Sequence, residues 1–295
     1  MYWGFPQKLL SALSCPADGN QFVCDVASEH IQHGSITCSQ CESKFQIRDG
    51  IVCMLQEKTL PLHVKAEMRA RDAGASSYDS HLSGRFYTEV TPTLKEIGNL
   101  SGKRVIEHGA GTGRFTQVLS KTSDLYLASD ISVESLRVLS GKDIPPNVGL
   151  ICADATSLRV REAFFHIALA LQVIEHMPTP DIRATFYLNV STSLKLGGSF
   201  IASVYHQDMR RTLKGEPVDG IHENKIPFHF FSVSEFSSEL RRHFSRVSSR
   251  PIDITLPLEK RLRLPQSIEG LISRMCEYIP ILNMYGHLVL AKAVK

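Results

Sequence analysis

No stretch of this chain approaches the ~20 consecutive apolar residues that a membrane-spanning helix needs. The longest apolar run, Ile167 to Ile174, contains Gln172 and reads as a buried strand and its exit. The N-terminus, MYWGFPQKLL, has no basic segment followed by an apolar run, so it does not read as a secretory signal. Charge of one sign is also lacking: 33 Lys and Arg face 30 Asp and Glu, a formal net charge of +3. That balance permits an acidic partner without demanding one, and is no evidence for nucleic acid. Cysteines are few and odd in number, seven in 295 residues, with only Cys38 and Cys41 closely paired. This favours a reducing compartment with a metal knuckle over a disulfide framework, and the chain reads as cytoplasmic. Internal repeats and low-complexity segments are absent.

What is present divides unevenly. Residues 1–56 form a short, Cys-containing stretch in which Phe22-Val23, Ile36-Thr37 and Phe45-Gln46-Ile47 look like strands between Gly, Asp and Ser turns. So small a piece needs a staple or a docking partner. Residues 57–100 read as a polar, helix-prone linker or lid beyond Pro61. Residues 101–295 then alternate strand and helix. Strands are expected at Lys103–Glu107, Asp124–Asp130, Val148–Ala153, Phe165–Leu171, Ser199–Val204 and His287–Ala293. Helices are expected at Phe115–Lys121, Val133–Leu139, Ile182–Leu194 and Ser232–His243, the last capped by Ser232 or Ser234. This order predicts a parallel α/β sheet with crossover helices. Two irregular stretches, near 205–231 and 251–285, read as insertions. Within the second, Ile268, Leu271, Ile272, Met275 and Ile279 recur at spacings of an amphipathic helix running to Pro280.

The most informative motif is RVIEHGAGTGRF, Arg104 to Phe115. An apolar strand ends in the acid Glu107 and turns through Gly109, Gly111 and Gly113 into a helix. Glycines there let the backbone turn sharply and approach a ligand that a Cβ would block. Neither the dinucleotide signature nor the P-loop fits, because Arg114 occupies the third glycine position and Gly-Lys-Ser/Thr is missing. Glu107 would repel a pyrophosphate but suits a sulfonium ligand with an ammonium group. Asp130, after the second strand, can accept hydrogen bonds from ribose hydroxyls or help Ser132 cap the next helix.

These residues resemble the class I S-adenosylmethionine-dependent methyltransferases, of the type-11-like kind, over about Leu94 to Lys295. The resemblance implies a Rossmann-like seven-stranded sheet with flanking helices. It also implies S-adenosyl-L-methionine as cofactor, held by Glu107, Gly109, Gly111, Gly113, Asp130, Ile131, Asp154, Ala155 and Gln172. Asp154-Ala155 matches the position facing the adenine amino group, although the aspartate is equally a turn residue. Val173-Ile174-Glu175-His176 resembles the motif between cofactor and acceptor. Two departures stand out. His166 occupies a position that is often acidic, and Gln172 replaces the first acid of an E-x-x-E-H pattern that holds a metal in some members. A neutral amide is a poor ligand for a hard cation.

Methyl transfer asks mainly for positioning. Where a base is used, His176 is the first candidate, and His206 with Tyr205 the second. His222, Glu223 and His229 lie in the segment expected to cover the acceptor. Separately, LLSALSCP, CSQC and FQIRDGIVCML resemble a zinc-ribbon-like module found with methyltransferases. That resemblance points to structural zinc on Cys15, Asp18, Cys38 and Cys41, with Cys24 as a substitute fourth ligand or the site metal-free.

The reading favoured by these features is methyl transfer to an O, N or C atom of a small-molecule or lipid-like acceptor. An RNA methyltransferase is the alternative, on the ribbon and the basic residues Arg241, Arg242, Arg246, Arg250, Lys260, Arg261 and Arg263. A non-catalytic binding subunit of the same fold is a third.

Overall fold

The computed structural model of the chain describes residues 2–55, 60–81, 86–255 and 265–295. Glu57, Leu264 and the basic residues Lys260, Arg261 and Arg263 lie outside the described residues.

The N-terminal stretch supplies β1 (Phe5–Pro6), α1 (Gln7–Leu10), β2 (Phe22–Cys24), β3 (His30–Ile31), β4 (Gly34–Cys38), β5 (Lys44–Arg48) and β6 (Ile51–Cys53). In β5, Phe45 and Ile47 are buried while Lys44, Gln46 and Arg48 are exposed, the two-residue alternation of a half-buried strand. β6 differs: Ile51 and Val52 are both buried, because it joins a larger sheet. It runs parallel to β9 (Val148–Cys152), with Ile51 beside Leu150, Val52 beside Ile151 and Cys53 beside Cys152.

The middle of the chain forms α2 (Leu62–Gly74), a 3-10 segment Ala75–His81, a π-helical turn Phe86–Val90 and α3 (Thr91–Ile97). Pro61 precedes the first turn of α2, where a missing N–H costs nothing. Beyond it come β7 (Arg104–His108), α4 (Thr116–Leu119), β8 (Leu125–Asp130), α5 (Val133–Ser140), β9, β10 (Phe165–Leu171), α6 (Pro180–Ser193) and β11 (Leu194–Tyr205). The chain ends through α7 (Met209–Lys214), the hairpin β12 (Asp219–Ile221) and β13 (Pro227–His229), α8 (Val233–Arg241), β14 (Arg246–Ile254), α9 (Gln266–Cys276), α10 (Pro280–Asn283) and β15 (Gly286–Val294).

One sheet holds eleven strands in the order β14-β15-β11-β10-β7-β8-β9-β6-β5-β4-β2. Seven of them, β9 through β14, make a Rossmann-like sheet that is parallel except for β15, which runs antiparallel to both β11 and β14. The expected seven strands therefore continue into four from the N-terminal module. Strand order reverses between β7 and β10, which lie side by side; that switch point is where open α/β sheets bind ligands. Helices shield both faces, and strands such as β9 are buried along their whole length.

Several expectations need correcting. Pro251 to Ile254, read as irregular, belongs to β14. Pro251 is tolerated because β14 is an edge strand, so its missing N–H breaks no inner ladder bond. The helix expected at Phe115–Lys121 shrinks to Thr116–Leu119. The strand expected at Ser199–Val204 begins earlier, as β11 takes in Leu194 to Gly198 next to an irregularity opposite Phe165 and Ile167. The irregular stretch after Tyr205 contains α7 and the β12–β13 hairpin. Ser232 is the cap of α8, accepting from the Glu235 amide at 3.1 Å.

Candidate functional site

A cavity of about 430 Å³ opens above the C-terminal ends of β7 and β10. Its floor is built from the glycine turn, the exit of β8, the turn after β9 and the exit of β10; α2 and the 3-10 segment close over it. Glu107, Gly109, Gly111, Asp130, Ile131, Asp154, Ala155, Gln172 and His176 all line it.

The glycine turn is stiffened from two sides. Asp130 Oδ2 accepts from the Gly111 amide at 2.7 Å, and Oδ1 from the Ser132 amide at 2.8 Å. Gly111 has φ of 55°, and a Cβ built on it meets nothing within 4 Å, so the only thing a side chain would fill is the cavity. Gly113 does a different job. It does not line the cavity; a Cβ there would lie 2.2 Å from Leu139 Cδ1, so its smallness lets the turn pack on α5.

Glu107 is buried, and Thr116 Oγ1 and the Tyr126 hydroxyl both donate to its Oε2, at 2.5 and 2.7 Å. Burial pushes its carboxyl up to about 7, partly offset by those two donors. Burial likewise raises Asp130, against the two amides and Arg71.

Gln172 leaves β10 with φ of 59°, a left-handed conformation that a non-glycine residue adopts at a cost and that recurs at functional sites. Its backbone N–H is held by Ser203 O at 2.9 Å, and its side-chain amide donates to Glu89. Glu89, fully buried in the π turn, also takes both Nη groups of Arg114, at 2.7 and 2.8 Å. This bidentate pair fixes the residue that follows the glycine turn.

His176 sits at the cavity edge with Nδ1–H donating to Pro227 O at 2.9 Å, which leaves Nε2 as the acceptor nitrogen. Burial, and then Arg71, lower its pKa to about 3, so the ring is neutral. His206 does not line the cavity. Its Nδ1–H donates to Gly286 O at 2.7 Å, tying β11 to β15, so the base role read for it in the sequence has no geometric support. His229 is likewise spoken for, between Asp219 at 2.8 Å and Glu235 at 3.0 Å. His222 stacks near Phe228 and faces His176, with ring centroids 6.2 Å apart. Glu223 is exposed at the hairpin tip, where Asn224 rather than Glu223 reaches the cavity. His166 accepts from the Arg104 amide at 2.9 Å, a bond between neighbouring strands.

Some site residues were not singled out in the sequence. Glu67 and Arg71 on α2 line the cavity 3.4 Å apart. Their i,i+4 spacing is that of an ordinary solvated helix pair, so nothing in the pattern marked them as facing inward. Burial lifts the Glu67 carboxyl to about 7, with Arg71 opposing. Glu175, in the motif already named, does not line the cavity: it is fully buried, neither carboxyl oxygen has a hydrogen-bond partner, and burial raises it to about 8.

At the other end of the sheet, one donor atom from each of Cys15, Asp18, Cys38 and Cys41 lies within 4.8 Å of the others. Cys24 is not among them; it sits in β2 against the apolar core.

Residues 105–198 match the methyltransferase domain family. The chain is 26% identical over 124 residues to the ubiquinone biosynthesis O-methyltransferase of Ralstonia nicotianae, covering 41% of this chain and 50% of that protein. It is 28% identical over 168 residues to the phosphoethanolamine N-methyltransferase of Triticum aestivum, covering 54% of this chain and 33% of that protein. The matches thus span half or less of those relatives' length. Among solved structures, the Burkholderia thailandensis 1,6-didemethyltoxoflavin-N1-methyltransferase superposes with a TM-score of 0.54 at 18% identity, covering 91% of this chain and 98% of that one. The chain carries a methyltransferase domain, and its fold is that of the class I S-adenosylmethionine-dependent methyltransferases.

Proposed function

We propose that the chain binds S-adenosylmethionine in the cavity over β7 and β10 and transfers its methyl group to a small-molecule acceptor. One observation carries this reading: Glu107 and Asp130, the two acids flanking the glycine turn, face a single open hollow. The open space in front of Gly111 is a cradle that any side chain would occupy, which fits a ligand pressed against bare backbone.

In this reading Asp130 takes the ribose hydroxyls, Asp154 and Ala155 border the adenine, and Gly109 to Gly113 wrap the amino acid end near Glu107. Ile131 and Gln172 complete the walls. Bound, the cofactor supplies an electrophilic methyl on a positively charged sulfur. The chain contributes position and the exclusion of water, through α2 above and the neutral His176 beside the acceptor space. His176 Nε2 is free to accept a hydrogen bond from an acceptor X–H, although so low a pKa makes it an orienting group more than a store for the proton. Small-molecule acceptors are favoured because the relatives are named for phosphoethanolamine and 1,6-didemethyltoxoflavin.

Calorimetry with S-adenosylhomocysteine tests the cofactor half, and label transfer from methyl-labelled S-adenosylmethionine over a panel of phenols and amines tests the other. Absence of any S-adenosylhomocysteine binding at high micromolar concentration would sink the reading.

We further propose that Cys15, Asp18, Cys38 and Cys41 hold structural zinc. The Sγ atoms of Cys15 and Cys41 are 3.5 Å apart, close to the ~3.7 Å that tetrahedral Zn–S bonds of about 2.3 Å require. Metal analysis of the purified chain tests it.

A further inference from the structure

Most charged groups lining the cavity are committed to the fold. Glu107 is bonded to Thr116 and Tyr126, Asp130 to two backbone amides, and Asp154 to the Thr156 amide at 2.9 Å. Arg114 gives both Nη groups to Glu89, and His63 stands exposed at the rim. Arg71 on α2 is the exception. Its bond from Nη2 to Glu67 Oε1 is single and 3.4 Å long, and no other donor of its guanidinium has a partner among the described residues. Other arginines of this chain are held more tightly: Arg183 Nη2 reaches Glu239 at 2.6 Å, and Arg250 Nη1 reaches Glu96 at 2.7 Å. A guanidinium carries five N–H donors in a fork shaped for an oxyanion. Arg71 lines the cavity with most of that fork unused.

Glu67 is a weak claimant for it. Burial lifts the Glu67 carboxyl to about 7, with Arg71 opposing, so near neutral pH about half of the molecules carry no anion there. Glu175, raised by burial to about 8, is mostly uncharged as well.

Position says which ligand the fork meets. The charge on Arg71 acts on Asp130 on one side and on His176 and His222 on the other. It therefore stands between the acid assigned to the ribose and the His176 edge, where the acceptor space lies. The cation acting on Glu107, at the amino acid end of the cofactor, is Arg114. Around His176 the wall is made of rings: Tyr205 lies 5.8 Å and His222 6.2 Å from it, centroid to centroid.

We infer that the cavity contains an anion site built on Arg71, which takes the carboxylate or phosphate of the methyl acceptor in a bidentate contact. Glu67 is the partner that Arg71 exchanges for the anion. That the anion belongs to a methyl acceptor rests on the proposed cofactor site; the anion site itself does not.

Calorimetry on the purified full chain tests it, with benzoate, phenyl phosphate and the neutral benzyl alcohol as probes, each titrated with and without saturating S-adenosylhomocysteine. At least one anion should bind about tenfold or more tighter than benzyl alcohol, as a charge-assisted bidentate contact implies. Preference for benzoate marks a carboxylate acceptor, and preference for phenyl phosphate a phosphate one. Arg71→Met should weaken that anion by about tenfold or more, while S-adenosylhomocysteine affinity changes far less. Glu67→Gln should act in the opposite sense and tighten the anion several-fold, because it removes the competing carboxylate; a merely structural pair would not give opposite signs. Anions that bind no better than benzyl alcohol, an Arg71→Met chain that binds them as the parent does, or one that loses S-adenosylhomocysteine in place of the anion would overturn the inference. A parent that binds the anion but no S-adenosylhomocysteine would remove the methyl-transfer reading and leave the Arg71 site standing.

Discussion

The Asp130 carboxylate accepts a 2.7 Å hydrogen bond from the Gly111 amide, so the acid ending β8 holds the turn that leaves β7. Sequence reading offered two roles for this acid, ribose contact or helix capping. The structure shows Ser132 as the cap of α5, accepting from the Ser135 amide at 3.0 Å, while Asp130 braces both neighbours.

Asp130→Ala should therefore do two things. S-adenosylhomocysteine affinity is expected to fall by more than about tenfold, because charge-assisted bonds to a sugar are lost. Stability should fall by about 1–2 kcal/mol, because two amides lose an acceptor. Calorimetry and chemical denaturation read the two effects separately.

The glycines should separate by role. Gly111→Val is expected to abolish S-adenosylhomocysteine binding, as its side chain enters open space, and to cost about 1–2 kcal/mol of stability because φ of 55° strains a β-branched residue. Gly113→Val should destabilise the fold by about 2 kcal/mol or more, because the side chain meets Leu139. Thermal melts with and without S-adenosylhomocysteine distinguish them.

Glu107 gives a pH signature. With its carboxyl at about 7 in the free protein, it is largely protonated below that pH, while an ammonium-bearing ligand prefers the anion. Affinity for S-adenosylhomocysteine should weaken as pH falls from 7 toward 5, and binding near pH 6.5 should release a proton. Calorimetry in buffers of different ionisation enthalpy measures that release. Glu107→Gln should reduce both effects, leaving the share of Glu67, which lines the same cavity and is also raised to about 7.

Glu175 makes a prediction about stability. Its folded pKa, about 8, lies above the ordinary 4.5, so its contribution is fully present below pH 4.5 and is lost as pH rises through 8. Glu175→Gln should be close to neutral at pH 5 and stabilising by about 1–3 kcal/mol near pH 8.5. Equal effects at both pH values in denaturant titrations would refute this account.

If zinc is bound at Cys15, Asp18, Cys38 and Cys41, a strong chelator should lower the melting temperature, and Cys38→Ser should do the same without chelator. Because β6 shares its ladder with β9, the loss should reach the main sheet rather than unfold a separate lobe.

The sequence by itself determined what local rules encode. Period-two alternation set strands such as β5, the apolar runs set β8 to β10, and Ser232 set the start of α8. The glycine turn was legible because only glycine tolerates its backbone, and the closeness of Cys38 and Cys41 because two intervening residues bring such a pair together. What tertiary structure alone decided is everything that depends on distant partners. It joined β6 to β9, so that the N-terminal module extends the main sheet, and it placed Pro251 on an edge strand where proline costs no ladder bond. It turned Glu67 and Arg71 inward although their spacing looks solvated, and it set His206 against Gly286 instead of the cavity. It also left the apolar stripe of α9 outside, where helical periodicity alone predicts burial. Periodicity tells which residues share a face; only the packing of other elements tells which way that face looks.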